Sequence, residues 1–152
     1  MNVDIREVAN CTCLALRRTT RHVTQVYDRL LEPTGLTVNQ FGLLAYLYAA
    51  GVSGRGALSI GALAERIGMD PTTLNRSLKP LQALNLVSAA IDPRDRRVRA
   101  LSITREGRTR LDHAIPFWRK ARARIESALG IETTVALNGL LDLSSAKLAK
   151  RE

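Results

Sequence analysis

Hydrophobic residues recur at helical spacing along most of the chain and alternate in one short region only. Apolar side chains at positions i, i+3, i+4 and i+7 predict helices over about 4–32, 37–51, 59–67, 71–79, 104–129 and 132–150. Alternation predicts two strands, at 86–91 and 98–103, on either side of a polar turn. The pattern therefore predicts a mainly α fold with a small β-hairpin.

The helix boundaries single out two short helices in the middle of the chain. Thr37 and Gln40 form a capping box that starts the helix predicted at 37–51, which precedes the two short helices. Ser59 can cap the first short helix and Gly68 can end it in a left-handed conformation, whereas Asp70 followed by Pro71 can start the second. Two short helices joined by a tight turn with glycine are typical of a helix-turn-helix.

The second short helix carries two stripes of different chemistry. Its apolar stripe consists of Leu74, Leu78 and Leu81. The other stripe contains no acid and combines hydroxyl, amide and basic groups, at Thr72, Asn75, Arg76 and Lys79. Such groups bond base edges and phosphates in a major groove, although a solvated helix face is the alternative. Pro80 predicts a kink or an early end of this helix.

The predicted hairpin is apolar at its base and basic at its tip. Leu101 and Ile103 would anchor it, whereas arginines crowd the turn at Arg94, Arg96, Arg97 and Arg99. These guanidinium groups repel one another, and a phosphate-rich surface would relieve the repulsion. Asp95 can orient one of them. The hairpin is therefore interpreted as a DNA-binding wing.

Length and charge agree with a small domain that binds a polyanion. The chain has 152 residues and a formal net charge of +9, with eleven basic residues between Arg94 and Arg124. No apolar run approaches the roughly 20 residues that cross a bilayer. The first ten residues do not resemble a secretory signal, so we expect a cytoplasmic protein.

Catalytic chemistry is poorly represented. His22 and His113 are isolated, the carboxylates are scattered, and no motif for a metal or cofactor is present, so we expect neither an enzyme nor a cofactor. A membrane- or protein-binding module is the alternative from another class. Its best candidate is the basic segment 119–124 beside Trp118.

The first and last helices carry more apolar surface than one winged helix can cover. A second copy of the chain would cover it in a two-fold dimer. A monomer with a larger helical core is the alternative.

The order of these elements resembles the MarR (multiple antibiotic resistance regulator) family, and the likeness extends over nearly the whole chain. Its most specific part is the segment DPRDRR at 92–97, followed by Leu101, Thr104, Glu106 and Gly107. The segment 70–87 resembles the family's recognition helix and the entry to its wing. The segment 35–41 is similar to the start of its second helix.

The resemblance implies one winged-helix domain over 1–152, with DNA-binding residues at about 37–104 and dimerisation helices at about 4–32 and 105–152. It implies a homodimer that represses a promoter by binding double-stranded DNA at a pseudo-palindromic operator, and that releases it when a small aromatic or phenolic effector binds. No membrane partner is expected. The implied DNA contacts are Thr72, Thr73, Asn75, Arg76, Lys79, Arg94, Arg96, Arg97 and Arg99, with Asp95 shaping the wing.

Cysteine oxidation is a second mode of release in this family. The segment 13–16 is similar to the sensing stretch of the branch that responds to organic hydroperoxides, so Cys11 and Cys13 are candidate redox residues. The alternative is that each cysteine is a small buried hydrophobic residue. If both were helical, the two side chains would point about 200° apart and could not form a disulfide with each other.

Overall fold

The computed structural model describes residues 8–53, 57–91 and 99–149. It confirms a mainly α fold with a small sheet. The elements in chain order are α1 (Thr12–Leu31), a 3-10 turn (Glu32–Thr34), α2 (Val38–Val52), β1 (Leu58–Ser59), α3 (Ile60–Ile67), α4 (Pro71–Ala83), β2 (Val87–Ile91), β3 (Arg99–Ile103), α5 (Arg105–Leu129) and α6 (Ile131–Ala149).

The chain divides into two compact units. The central unit is Leu31–Pro116, and the terminal unit combines Met1–Leu30 with Phe117–Glu152. The central unit is longer than the winged helix expected at about 37–104, because it also contains the turn after α1 and the first half of α5.

Leucines from successive elements form the core of the central unit. The largest fully buried side chains are Leu31, Leu44, Leu63, Leu74, Leu78, Leu81, Leu86 and Leu101. In α2, Phe41, Leu43, Leu44 and Leu47 are buried, whereas Tyr48 is 41% exposed. This helix therefore packs over a broad part of its circumference.

Three antiparallel strands form the sheet, in the order β1-β3-β2. The outer strand β2 pairs Val87 with Ile103, and β1 pairs Leu58 with Leu101. Leu101 and Ile103 are buried, as expected of residues that anchor the hairpin. The sequence did not predict β1, because two residues are too few for a recognisable alternation.

Side chains cap the helices at the predicted positions. The Thr37 hydroxyl accepts from the Gln40 amide nitrogen at 3.3 Å, and the Thr37 amide donates to Gln40 Oε1 at 3.0 Å. Ser59 accepts from the amide of Ala62 at 3.0 Å and starts α3. Gly68 ends α3 with φ of 66°. The predicted capping box, cap and glycine stop are thus confirmed.

Helix α4 continues past Pro80 to Ala83, so an early end at this proline is wrong. The helix ends instead in a Schellman motif, in which the amide of Leu86 donates to the Leu81 carbonyl at 2.8 Å and that of Asn85 to Gln82 at 2.9 Å. Asn85 supplies the left-handed residue of this motif, with φ of 54°. These bonds satisfy carbonyls that the helix end leaves free.

The long helix predicted over 4–32 is interrupted near its start. Val8 and Ala9 are helical, Asn10 is in a turn, and Cys11 precedes α1. The amide of Cys11 donates to the Val8 carbonyl at 3.1 Å, which closes this turn. Asparagine favours turns because its side chain competes with helical hydrogen bonds, and this local preference overrides the apolar periodicity.

Hydrogen bonds within the central unit stabilise the short connection between α1 and α2. Thr34 is buried, and its hydroxyl donates to the Leu31 carbonyl at 2.6 Å. Arg110 of α5 donates from Nη1 to the Thr34 carbonyl at 3.1 Å. Gly35 ends the turn with φ of 69°, which few other residues adopt.

The terminal unit exposes most of its large hydrophobic residues, unlike the central unit. Ala121 is its only described buried hydrophobic residue. Its exposed large hydrophobic residues are Val8, Leu14, Leu16, Leu129, Ile131, Val135, Leu140, Leu141, Leu143 and Leu148.

Candidate DNA-binding surface

Helix α4 starts at a well-defined cap. The Asp70 carboxylate accepts from the Thr73 amide at 2.9 Å and also from the Thr73 hydroxyl. Hydrogen bonds from the Thr73 side chain and backbone lower the pKa of Asp70 below its usual value. Pro71 lies in the first turn of the helix, where an amide hydrogen would have no intrahelical acceptor. The lack of this hydrogen in proline therefore costs the helix no hydrogen bond.

The two predicted stripes of α4 face opposite environments. Leu74, Leu78 and Leu81 are at most 1% exposed. The polar stripe is exposed throughout, at Thr72, Asn75, Arg76 and Lys79. Side-chain amide, guanidinium, hydroxyl and ammonium groups are therefore held on a helix whose other face is fixed in the core. This arrangement can present donors to base edges and phosphates.

Thr73 has a structural role in addition to its predicted one. It was predicted as a DNA contact, and it is exposed, but its hydroxyl donates to Asp70. Its carbonyl accepts from the Ser77 hydroxyl at 3.1 Å. Thr73 thus stabilises the first turn of α4, and its hydroxyl oxygen can still accept a hydrogen bond.

The described part of the wing consists of β2 and β3. Arg99 is exposed and pairs with the exposed Ile91 at the end of the two strands. The other predicted wing contacts, Arg94, Arg96 and Arg97, and the shaping residue Asp95 lie in 92–98, outside the described residues.

Both cysteines are free thiols at the start of α1. Cys13 is exposed and helical, whereas Cys11 is half-buried and lies before the helix. The predicted divergence of the two side chains required both cysteines to be helical. Because Cys11 lies outside the helix, this condition is not met.

A groove runs along the helices of the terminal unit. It has a volume of about 820 Å³ and is lined by residues of α1, α5 and α6, among them Tyr27, Trp118, Leu137 and Leu141. Burial raises the pKa of Tyr27, partly offset by the charge of Arg122. A second apolar groove of about 760 Å³ lies between α1 and α6.

Basic side chains of the segment 119–124 interact with neighbouring residues of their own helix, α5. Arg122 Nε donates to Glu126 Oε1 at 2.7 Å, and its guanidinium lies 6.0 Å from the centre of the Trp118 ring. Lys120 lies 5.7 Å from the centre of the Phe117 ring. Within the described ranges, no helix is long and apolar enough to span a membrane, and no cluster of three metal-binding side chains occurs.

Comparison with known proteins gives a consistent result. A family model described as the MarR family matches residues 34–98. No curated protein matches the chain.

Solved structures match nearly the full length. The Mycobacterium tuberculosis transcriptional regulator MosR in complex with DNA is 32% identical, with a TM-score of 0.79, over 94% of this chain and all of the other. The repressor CouR from Rhodococcus jostii RHA1, bound to a 23-mer duplex, is 23% identical with a TM-score of 0.79, over 95% of this chain and 99% of its own. BpsR from Bordetella bronchiseptica is 24% identical with a TM-score of 0.76, over 90% of this chain and 94% of its own.

Proposed function

The chain belongs to the MarR family of DNA-binding transcription regulators, and from this premise we propose that it is a homodimeric repressor of a pseudo-palindromic operator, released by a small aromatic or phenolic effector. The observation that carries the proposal is the exposed polar face of α4. On this face Asn75, Arg76 and Lys79 are exposed, while the leucines of the same helix are buried.

The recognition helix α4 enters the major groove in this proposal. Arginine and asparagine can each make two hydrogen bonds to one base, Arg76 preferring guanine and Asn75 adenine. Thr72 and Lys79 bond phosphates and fix the register, which carries no sequence information. Asp70 is the acid at the start of this helix, and its carboxylate is already bonded to Thr73.

The wing reaches the adjacent minor groove. Arg94, Arg96, Arg97 and Arg99 supply the positive charge, and Asp95 orients the loop. Arginine side chains favour a narrow minor groove because its electrostatic potential is more negative, so they read the shape of the duplex more than the identity of its bases.

A second copy of the chain covers the terminal helices. The apolar grooves along α1, α5 and α6 and the exposed leucines of α6 support this assignment. A two-fold dimer places two recognition helices one helical turn apart on DNA, which requires an operator of two inverted half-sites.

Effector release is supported by the ligands named for similar proteins. BpsR is described as regulated by 6-hydroxynicotinic acid, and CouR has been crystallised with p-coumaroyl-CoA. Each is an aromatic compound with a hydroxyl or acidic group. We propose an effector of this class, to be found by screening such compounds for release of the DNA.

The test starts from duplexes that the purified protein selects from a random library. Arg76→Ala should weaken binding to the selected duplex by about 1–3 kcal/mol and relax its sequence preference. Arg96→Ala should weaken binding to all sequences similarly and reduce the salt dependence by about one phosphate contact. Arg29→Ala, an exposed arginine on α1, is the control. Wild-type affinity in both variants would refute the surface assignment.

Thiol oxidation is a second mode of release, favoured by the exposed thiol of Cys13. Peroxide converts an exposed reactive thiol to sulfenic acid, which adds a polar group to the start of α1. In Cys13→Ser, DNA binding should become insensitive to peroxide, while Cys11→Ser reports on the neighbouring half-buried thiol. Unchanged sensitivity in Cys13→Ser would exclude this cysteine.

A further inference from the structure

The wing and the recognition helix meet at one residue of the central unit. Thr104 follows β3 directly and precedes α5. Its hydroxyl donates to the Asn85 carbonyl at 2.7 Å and accepts from the Gly107 amide at 2.9 Å. Its amide donates to the Leu86 carbonyl at 3.1 Å. One side chain therefore joins the end of α4, the end of the wing and the start of α5.

The partners of Thr104 are themselves held firmly. Asn85 is the left-handed residue of the Schellman motif, so its carbonyl direction is set by the end of α4. Gly107 is buried so closely against the sheet that a Cβ atom there would lie 2.1 Å from the Leu86 carbonyl oxygen. The three elements thus leave little room for adjustment, and the hydroxyl of Thr104 bridges them.

Both strands of the wing depart from this junction. β2 begins at Val87, two residues after Asn85, and pairs there with Ile103, the residue before Thr104. From Val87 to Ile91 the strand extends about 13 Å at roughly 3.3 Å per residue. A rotation of about 10° at the base would move the far end by about 2 Å, which breaks a hydrogen bond to a phosphate.

We propose that Thr104 is a positioning residue for DNA binding, which fixes the base of the wing relative to the recognition helix so that both reach their grooves together. The inference rests on the proposed function and assigns to it a residue that does not touch DNA. Leu101 and Ile103 keep the wing folded, and the Thr104 hydroxyl sets its direction.

The experiment compares Thr104→Val, which removes the hydroxyl and keeps the shape, with Thr104→Ser, which keeps the hydroxyl. The probe is the duplex that wild type selects from a random library, titrated well below the unfolding temperature of each variant. Thr104→Val should bind about tenfold more weakly, as when one arginine contact is lost, with a smaller salt dependence. Thr104→Ser should restore most of both quantities. Thr109→Val is the matched control, because the Thr109 hydroxyl donates to the Arg105 carbonyl within its own helix α5.

A double-mutant comparison separates positioning from a general loss of stability. In an Arg96→Ala background, Thr104→Val should weaken binding less than it does in wild type, because one of the wing contacts that depend on its direction is already lost. In an Arg76→Ala background it should weaken binding by the full factor. Footprinting should show loss of minor-groove protection with major-groove protection retained. If Thr104→Val does not fold, Thr104→Ala replaces it in all arms.

The outcomes distinguish this inference from the proposed function. Absence of duplex binding by wild type would overturn both. Duplex binding by wild type, together with wild-type affinity in Thr104→Val, would overturn the positioning role alone. Equal losses in the Arg96→Ala and Arg76→Ala backgrounds would also overturn it, because a merely structural residue acts on both surfaces.

Discussion

Leucine is mostly buried in the central unit and mostly exposed in the terminal unit. In Leu31–Pro116, leucines from α2, α3, α4 and the sheet are buried, and the unit contains all but one of the described buried hydrophobic residues. In the terminal unit, leucines are mostly exposed, and ten of the fifteen exposed large hydrophobic residues lie there. Both units are rich in leucine, so they differ in how much of this apolar surface each buries within itself.

Because of this difference, we expect the stability of the two units to depend on different contacts. The central unit buries its apolar surface within one chain, which is enough to hold α4 and the base of the wing in place. The terminal unit leaves ten large apolar residues exposed, and large exposed apolar patches on proteins mark interaction surfaces. Folding of the central unit should therefore depend on its own packing, and stability of the terminal unit should depend on protein concentration.

The largest expected effect follows from removing one leucine from each unit. Leu78→Ala should lower the free energy of unfolding by about 2–5 kcal/mol, because it leaves a cavity in a core that cannot close around it. Leu140→Ala should cost far less in dilute protein, because this side chain is 62% exposed in the single chain. Urea unfolding of both variants at low concentration measures the difference. Equal losses would contradict the division into two kinds of unit.

Two glycines give the next comparison. Gly107→Ala should destabilise the protein by about 3 kcal/mol, because the added Cβ would lie 2.1 Å from a backbone carbonyl that cannot move freely. In Gly139→Ala, the added Cβ would meet no atom within 4 Å beyond the adjoining residues and backbone of α6, so this change should stabilise the helix by up to about 1 kcal/mol. Thermal unfolding of the pair checks the signs. A stable Gly107→Ala variant would mean that the junction with the wing can adjust.

A smaller effect concerns self-association. Leu140→Asp places a charge on the exposed, apolar helix α6 and should weaken the proposed dimer by about tenfold or more, because an unpaired charge would be buried between copies. Leu84→Asp, an exposed leucine of the central unit, is the control and should leave association unchanged. Sedimentation over a range of concentrations measures both. Unchanged association in Leu140→Asp would place the dimer contact elsewhere.

The sequence predicted the features that depend on neighbouring residues. The caps at Thr37, Ser59 and Asp70 and the two stripes of α4 follow from spacing alone, because a helix brings such residues together whatever the rest of the chain does. Most of the predicted DNA-binding face of α4 could therefore be located from the sequence alone.

Features that depend on distant residues were not predictable. The bond from Arg110 to the Thr34 carbonyl joins residues 76 positions apart, and β1 is recognisable only by its pairing with β3. The bond from the Thr104 hydroxyl to the Asn85 carbonyl depends on the left-handed end of α4. The continuation of α4 beyond Pro80 also went against local preference, since Leu81 is fully buried and holds the last turn in place.

The smallest predicted effect is a pH dependence at the start of α4. Hydrogen bonds from Thr73 lower the pKa of Asp70 in the folded protein, so the ionised carboxylate is favoured by folding. Its stabilising contribution is therefore complete above the pKa of an unfolded aspartate, about 3.9, and is lost as the pH falls through the lower folded value. Asp70→Asn keeps a good cap without the charge, so its stability should fall less steeply than that of wild type below about pH 4. Unfolding measured from pH 6 to pH 2 compares the two slopes, with Asp70→Ala as the variant that lacks the cap at every pH. If Asp70→Asn kept the wild-type slope, another carboxylate would account for the acid sensitivity, and the start of the recognition helix would not contribute to it.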